Sequence, residues 1–185
     1  HLLAILTLVF AAIITLRDGY LAEGMNAAYA FNDHFIRDRM GDVLKAFSYL
    51  VLALVFVYAK FYLRQFRMFR ADFYTLSLFA LIGVMLLISA NSLIMIYLGL
   101  ELSALSGYAL VAFNRGSSRG SESAMKYFIL GSMASGLLLY GMSMVYGATG
   151  QLNFPEVAAV IDSGQADQTV LVFGLVFVVI GVAFK

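Results

Sequence analysis

The sequence has no cysteine in its 185 residues. That excludes disulfides, thiol redox chemistry and any zinc or iron–sulfur site ligated by this chain's thiolates. It has a single proline, Pro155, which lies in the polar stretch 148–167 and leaves every apolar segment free of proline kinks. The two histidines, His1 and His34, are far apart, and no other residues join them at metal-ligand spacing, so no metal site is expected. Charge is also scarce. Only 12% of residues are charged, about half the roughly 25% of ordinary soluble domains. The net charge is +1 and no basic patch alternates with aromatics, which argues against nucleic-acid binding.

What fills the chain instead is apolar. Hydrophobic residues make up 62% and the mean hydropathy is +0.89. A soluble domain needs a polar surface that this composition cannot supply. Several stretches run close to the length of about 20 residues that spans a bilayer as helix. The expected class is an all-α, polytopic transmembrane helix bundle. Six spans are predicted, at 2–16, 43–63, 72–89, 91–113, 122–147 and 168–185. The third and fourth are separated only by "SAN" at 89–91, a tight turn, with Asn91 expected to cap the fourth helix. Both ends read as cut: the chain opens on His1 inside an apolar run and closes on "VVIGVAFK" within the sixth span. The expectation is the N-terminal part of a longer protein.

Cytoplasmic loops carry an excess of Lys and Arg. The link around 60–72 has Lys60, Arg64, Arg67 and Arg70, and the link 114–122 has Arg115 and Arg119. The stretch 148–167 has neither Lys nor Arg. This places 60–72 and 114–122 in the cytoplasm, and 89–91 and 148–167 on the opposite side. Alternation puts the loop 17–42 with the latter pair, against the mild objection of Arg17, Arg37 and Arg39. Within that loop Asp33, Arg37, Asp38, Arg39 and Asp42 read as a solvated face.

One residue stands against the apolar pattern. In "LGLELSALSGY", 98–108, Glu101 falls near the middle of the fourth span. A charge at that depth costs about 2.5–3.5 kcal/mol on insertion scales. A carboxyl avoids much of this by staying protonated or by meeting a cation. Either escape makes its proton occupancy depend on its neighbours, which is the property a proton relay needs. The simpler structural reading is a hydrogen bond between helices. Intramembrane ionisable groups nevertheless point to function by default.

Two lysines can answer Glu101. Lys126 lies near the cytoplasmic end of the fifth span, and Glu122 precedes it by four, the favourable order for a helical ion pair. A lysine at such a boundary also reaches the interface by snorkelling. Lys185 follows an uncharged run beginning near Gln168; the sequence leaves open whether it snorkels at the cytoplasmic face or sits within the membrane. Tyr97 and Tyr108 share a helix face with Glu101 and are supporting polar groups, although aromatics on such helices are more often packing. Gly99, Ser103 and Gly107 recur every four residues, a spacing that lets a neighbouring helix approach closely. "GSMASG", 131–136, has the same character. Neither set of glycines follows a strand, so neither is a nucleotide loop.

Three segments in order, "YLGLELSALSGYALVAF" (97–113), "SESAMKYFILGSMASGLLLYGMSMVYGATG" (121–150) and "VIGVAFK" (179–185), resemble the N-type membrane subunit of bacterial respiratory complex I, whose mitochondrial counterpart is NADH dehydrogenase subunit 2. The resemblance is strong from 72 to 185. The "GLEL" form favours the N-type over the L- and M-types, which typically have a Trp before that glutamate; this chain has none. The resemblance implies an antiporter-like fold of inverted helix repeats, with residues 1–71 as N-terminal helices and loops and 72–185 as the start of the first repeat. It implies that Glu101 modulates a lysine on a neighbouring helix. Lys126 then matches the lysine of the following helix, and Lys185 that of a broken helix, near mid-membrane. Proton transfer is expected through Glu101, Lys126 and Lys185.

No cofactor is expected in this chain. The resemblance places FMN, iron–sulfur clusters and quinone chemistry in partner subunits, and makes neighbouring antiporter-like subunits and the lipid bilayer its surroundings. The expected location is the bacterial inner membrane, ahead of the mitochondrial one. Three competing readings remain: a monovalent cation/proton antiporter subunit, the matching subunit of a hydrogenase-linked or photosynthetic relative, and a purely structural membrane subunit.

Overall fold

The computed structural model describes residues 1–21, 28–65, 71–114 and 116–185. Seven helices and one short hairpin make up the described chain. They run α1 (Leu2–Leu21), β1 (Ala28–Ala30), β2 (Phe35–Arg37), α2 (Arg39–Gln65), α3 (Ala71–Ile88), α4 (Leu93–Val111), α5 (Ser118–Thr149), α6 (Phe154–Asp162) and α7 (Gln168–Phe184). Four of these, α2 to α5, are long and apolar enough to cross a membrane; Leu2–Arg17 within α1 and all of α7 are shorter apolar helices. The protein is a polytopic transmembrane helix bundle. Arg67, Arg70 and Arg115 of the expected basic links lie outside the described residues.

The helix boundaries follow local chemistry. Ser92, not Asn91, caps α4: its hydroxyl accepts from the Met95 amide at 3.3 Å. The Asn91 amide group instead donates to the Asp33 carbonyl at 2.8 Å and ties the turn to the hairpin. Asp38 accepts from the Gly41 amide at 2.8 Å and so caps α2. Asp167 caps α7 through the amides of Thr169 and Val170. The helix α5 ends at Gly150, whose φ of 70° is a left-handed conformation suited to glycine.

The loop 17–42 is not simply a solvated face. Its hairpin pairs Ala28 with Arg37, Tyr29 with Ile36 and Ala30 with Phe35, and turns through Phe31, Asn32 and Asp33 at positive φ. Asp42 is 8% exposed and forms ion pairs with Arg37 at 3.2 Å and with Lys45 at 3.8 Å. The Lys45 ammonium also lies 5.3 Å from the centre of the Phe35 ring. The sequence reading left Asp42 in water because it sits beside other charges; here the hairpin folds back over it.

Backbone bonds gather the hairpin, the 89–93 turn and the 151–154 segment at one end. Ile36 donates to Ser89, Asn91 to His34, Leu93 to Leu152 and Phe154 to Asn91, all at 2.9–3.1 Å. The three segments that the charge pattern assigned to one side thus lie together, despite the arginines of the first. At the other end Phe73 meets Phe113 edge to face at 6.0 Å, as antiparallel α3 and α4 require. A core of Ala4, Leu8, Phe56 and Tyr74 joins α1, α2 and α3.

Candidate functional site

Two close helix contacts position the site. The first joins α3 and α4. A Cβ on Gly83 would lie 2.7 Å from the Gly99 carbonyl oxygen and 2.7 Å from the Ser103 amide. Gly99 and Ser103 of the small-residue stripe therefore seat α3. Gly107, the third member, faces the Tyr127 ring at ordinary contact distance instead.

The second contact joins α5 and α7. A Cβ on Gly141 would meet the Val178 amide at 2.6 Å and the Gly174 carbonyl at 2.8 Å; one on Gly181 would meet the Leu138 backbone at 2.8 Å. The backbones touch because side chains are missing on both sides at Gly141 and Gly174 and on one side at Gly181, as small residues permit in membrane helices. The sequence reading missed this pair. Its signal was present in Gly174 and Gly181, seven residues and about two turns apart on one face. In "GSMASG", Gly131 lies under the Tyr108 hydroxyl, whereas Gly136 has nothing within 4 Å.

These contacts bring Lys185 to Glu101. The Lys185 ammonium donates to Glu101 Oε1 at 2.5 Å and to Ser135 Oγ at 2.7 Å. Glu101 lies eight residues past the start of α4, about 12 Å along a helix of about 28 Å, so Lys185 stands near the level of its middle. The lysine side chain is 10% exposed and the carboxylate 23%. Three helices contribute: α4 the acid, α5 the serine, and the residue after α7 the base. Ser135 is buried and donates its own proton to the Gly131 carbonyl at 3.0 Å.

Lys126 is placed elsewhere. It pairs with Glu122 on the exposed face of α5, both side chains being more than 60% exposed. Among the described residues no hydrogen bond or ion pair joins it to Glu101. Tyr108 is buried, its ring edge to face with Tyr127 at 4.7 Å and Phe128 at 5.6 Å. Tyr97 lines a cavity of about 320 Å³ between α4 and α5 with Leu139, Met142 and Tyr146. Both tyrosines sit on packing surfaces next to the pair, and neither hydroxyl bonds Glu101 among the described residues. Ser135 was not singled out from sequence; it is one of many serines in apolar helices.

The arrangement can hold one proton between a carboxylate and an amine, with a hydroxyl on the amine's other side.

Known proteins are similar to this chain. The family described as NADH:quinone oxidoreductase/Mrp antiporter, transmembrane, matches residues 90–185. The chain is 48% identical over 183 residues to NADH-quinone oxidoreductase subunit N of Nitrosomonas europaea, covering 99% of this chain and 37% of that protein. It is 49% identical to the protein of the same name in Thiobacillus denitrificans, with the same coverage. The chain thus spans just over a third of the length of these relatives. Among solved structures it is similar to a chain of respiratory complex I from Thermus thermophilus, with 28% identity, a TM-score of 0.71 and coverage of 97% of this chain and 36% of that one. A chain of an archaeal membrane-bound sulfane sulfur reductase shares the fold at 22% identity and a TM-score of 0.73, over 97% of this chain and 38% of that one. The family match over 90–185, just over half of the chain, makes this helix bundle a member of the NADH:quinone oxidoreductase/Mrp antiporter transmembrane family.

Proposed function

We propose that this chain is the N-terminal part of a proton-translocating membrane-arm subunit of a bacterial NADH:quinone oxidoreductase, residing in the inner membrane beside other antiporter-like subunits. The single observation that carries the reading is the part-buried contact between Lys185 and Glu101. A buried pair that only stabilised the fold would be a weak choice, since well-packed apolar residues often do as well. A pair that must exchange a proton has no apolar substitute.

In the proposed cycle the resting pair is ammonium and carboxylate. A signal arising from quinone reduction in partner subunits shifts the proton of Lys185 onto Glu101 Oε1. It leaves from that carboxyl toward the opposite side, and the pair is reloaded from the cytoplasmic side. Lys126, paired with Glu122 about 13 Å along α5 from Ser135, is proposed as the approach to the pair from that side. Residues 72–185 are proposed as the beginning of the first antiporter-like repeat, with 1–71 as the helices before it. FMN and the iron–sulfur clusters are assigned to partner subunits.

The test is Glu101→Gln in the full-length subunit within the assembled complex. NADH oxidation and proton uptake are followed together in sealed membrane vesicles. The proposal expects both to fall while the complex still assembles. Normal values for both would overturn it.

The family also names Mrp antiporters, so a free-standing cation/proton antiporter is the second reading. The names of the relatives favour the first. Recovery of the full-length protein with an NADH dehydrogenase, or without one, decides between them.

A further inference from the structure

Buried serines in membrane helices normally satisfy their own proton by donating to a carbonyl one turn back. Ser77, Ser106 and Ser135 all do so, to Phe73, Leu102 and Gly131 at 2.8–3.0 Å. All three are at most 6% exposed. Among the described residues, only Ser135 of the three also receives a hydrogen bond from a charged group, the Lys185 ammonium at 2.7 Å.

We propose that Ser135 is a positioning residue for proton transfer, its hydroxyl accepting from the Lys185 ammonium and so holding Nζ against Glu101 Oε1. The inference rests on the relay reading of Glu101 and Lys185. In the resting state the Ser135 proton points to the Gly131 carbonyl and its lone pair faces Nζ. When an Nζ–H bond breaks and the proton forms an O–H bond on Glu101 Oε1, Nζ keeps the electron pair as a lone pair, which faces that new O–H and accepts from it. Ser135 Oγ still accepts from a remaining N–H of the amine, and its own proton stays on the Gly131 carbonyl. Alanine at 135 would remove this acceptor and leave the amine free to turn away from the carboxyl.

The geometry also explains why the hydroxyl belongs on α5. Glu101 is on α4 and Lys185 follows α7, so an acceptor on the third helix holds the amine in place when the carboxylate is neutralised.

The experiment compares Ser135→Ala, Ser135→Thr, Ser106→Ala and Glu101→Gln in the assembled complex in sealed vesicles. Alanine is the better helix former, so Ser135→Ala is expected to assemble, and complex content is measured in each membrane. Loss of a hydrogen bond to a charged group predicts that Ser135→Ala lowers coupled proton uptake roughly tenfold. The pH profile of uptake should also move. Ser135→Thr, which keeps the hydroxyl, should retain most activity and the parental pH profile; Ser106→Ala should match the parent. A packing role predicts the reverse order, with the bulkier threonine worse than alanine and the pH profile unmoved, and that result overturns the proposal. If Glu101→Gln is impaired while Ser135→Ala is normal, the serine assignment alone fails. If Glu101→Gln is normal, the relay reading fails and the serine role with it.

Discussion

Lys185 and Glu101, 84 residues apart in sequence, meet at 2.5 Å between three helices. The meeting sets the depth of Lys185. A lysine after a seventeen-residue apolar helix reads equally well as one reaching the interface. Its ammonium instead stands beside a carboxylate near the middle of α4, with Ser135 as its second acceptor.

Removing only the base should destabilise more than removing both partners. Lys185→Met leaves Glu101 without its cation in an apolar setting. Breaking a fully buried pair costs about 3–5 kcal/mol and this part-buried one should cost less, whereas replacing both partners is often close to neutral. Thermal unfolding of the detergent-solubilised complex should rank Lys185→Met below the Lys185→Met/Glu101→Gln double variant.

The approach of α5 to α7 has its own test. Gly141→Ala places a methyl group 2.6–2.9 Å from atoms of α7, two of them backbone. The helices must separate, at about 1–3 kcal/mol of overpacking, and Lys185 is carried away from Glu101. Gly136→Ala on the same helix meets nothing within 4 Å and gains helix propensity of about 0.8–1.0 kcal/mol. Assembly and thermal stability should fall for the first and hold for the second.

At the hairpin end, Asp42→Asn removes the carboxylate from the buried Lys45 and from Arg37. By the same logic as for the central pair, about 3 kcal/mol of destabilisation is expected. Adding Lys45→Met should recover part of it. Protease sensitivity of the segment 28–42 in intact vesicles reads the effect directly.

Lys126 gives a graded outcome. Its pair with Glu122 is exposed within this chain and contributes only about 0.2–0.5 kcal/mol to the helix. Stability should therefore change little in Lys126→Gln. Proton uptake should fall if Lys126 is the approach to the relay, and Glu122→Gln should fall less, because it keeps the lysine. Equal, parental uptake in both variants would leave Lys126 as a helix-surface charge.

Much of this was legible in the residues because membrane helices declare themselves by length and apolarity. The six expected spans fall on α1 to α5 and α7, with ends shifted by a few residues. Lys and Arg counting fixed the sides of the basic links, alternation put 17–42 with 89–91 and 148–167 against its own arginines, and backbone bonds join segments from all three. Other features left little trace. The hairpin strands are three residues each and their turn uses Phe31, a residue that rarely takes positive φ. The short helix α6 was hidden in a polar stretch, although "NFPE" reads as a helix start with Pro155 in the first turn. Asn91 and Ser92 are both good caps, and only the pull of the hairpin on Asn91 separates them. Glu101 and Lys185 were each conspicuous, but their contact and the part of Ser135 depend on how α4, α5 and α7 pack. That packing rests on glycines at 141, 174 and 181.

The most direct test of the central claim is a double-mutant cycle on proton uptake per NADH oxidised, in sealed vesicles carrying the assembled complex. The variants are Glu101→Gln, Lys185→Met and the two together. Residues acting as one relay are strongly non-additive, so the account predicts that each single change lowers uptake and that the double variant is no worse than the poorer single. Parental uptake in either single variant, or losses that multiply in the double, would contradict it.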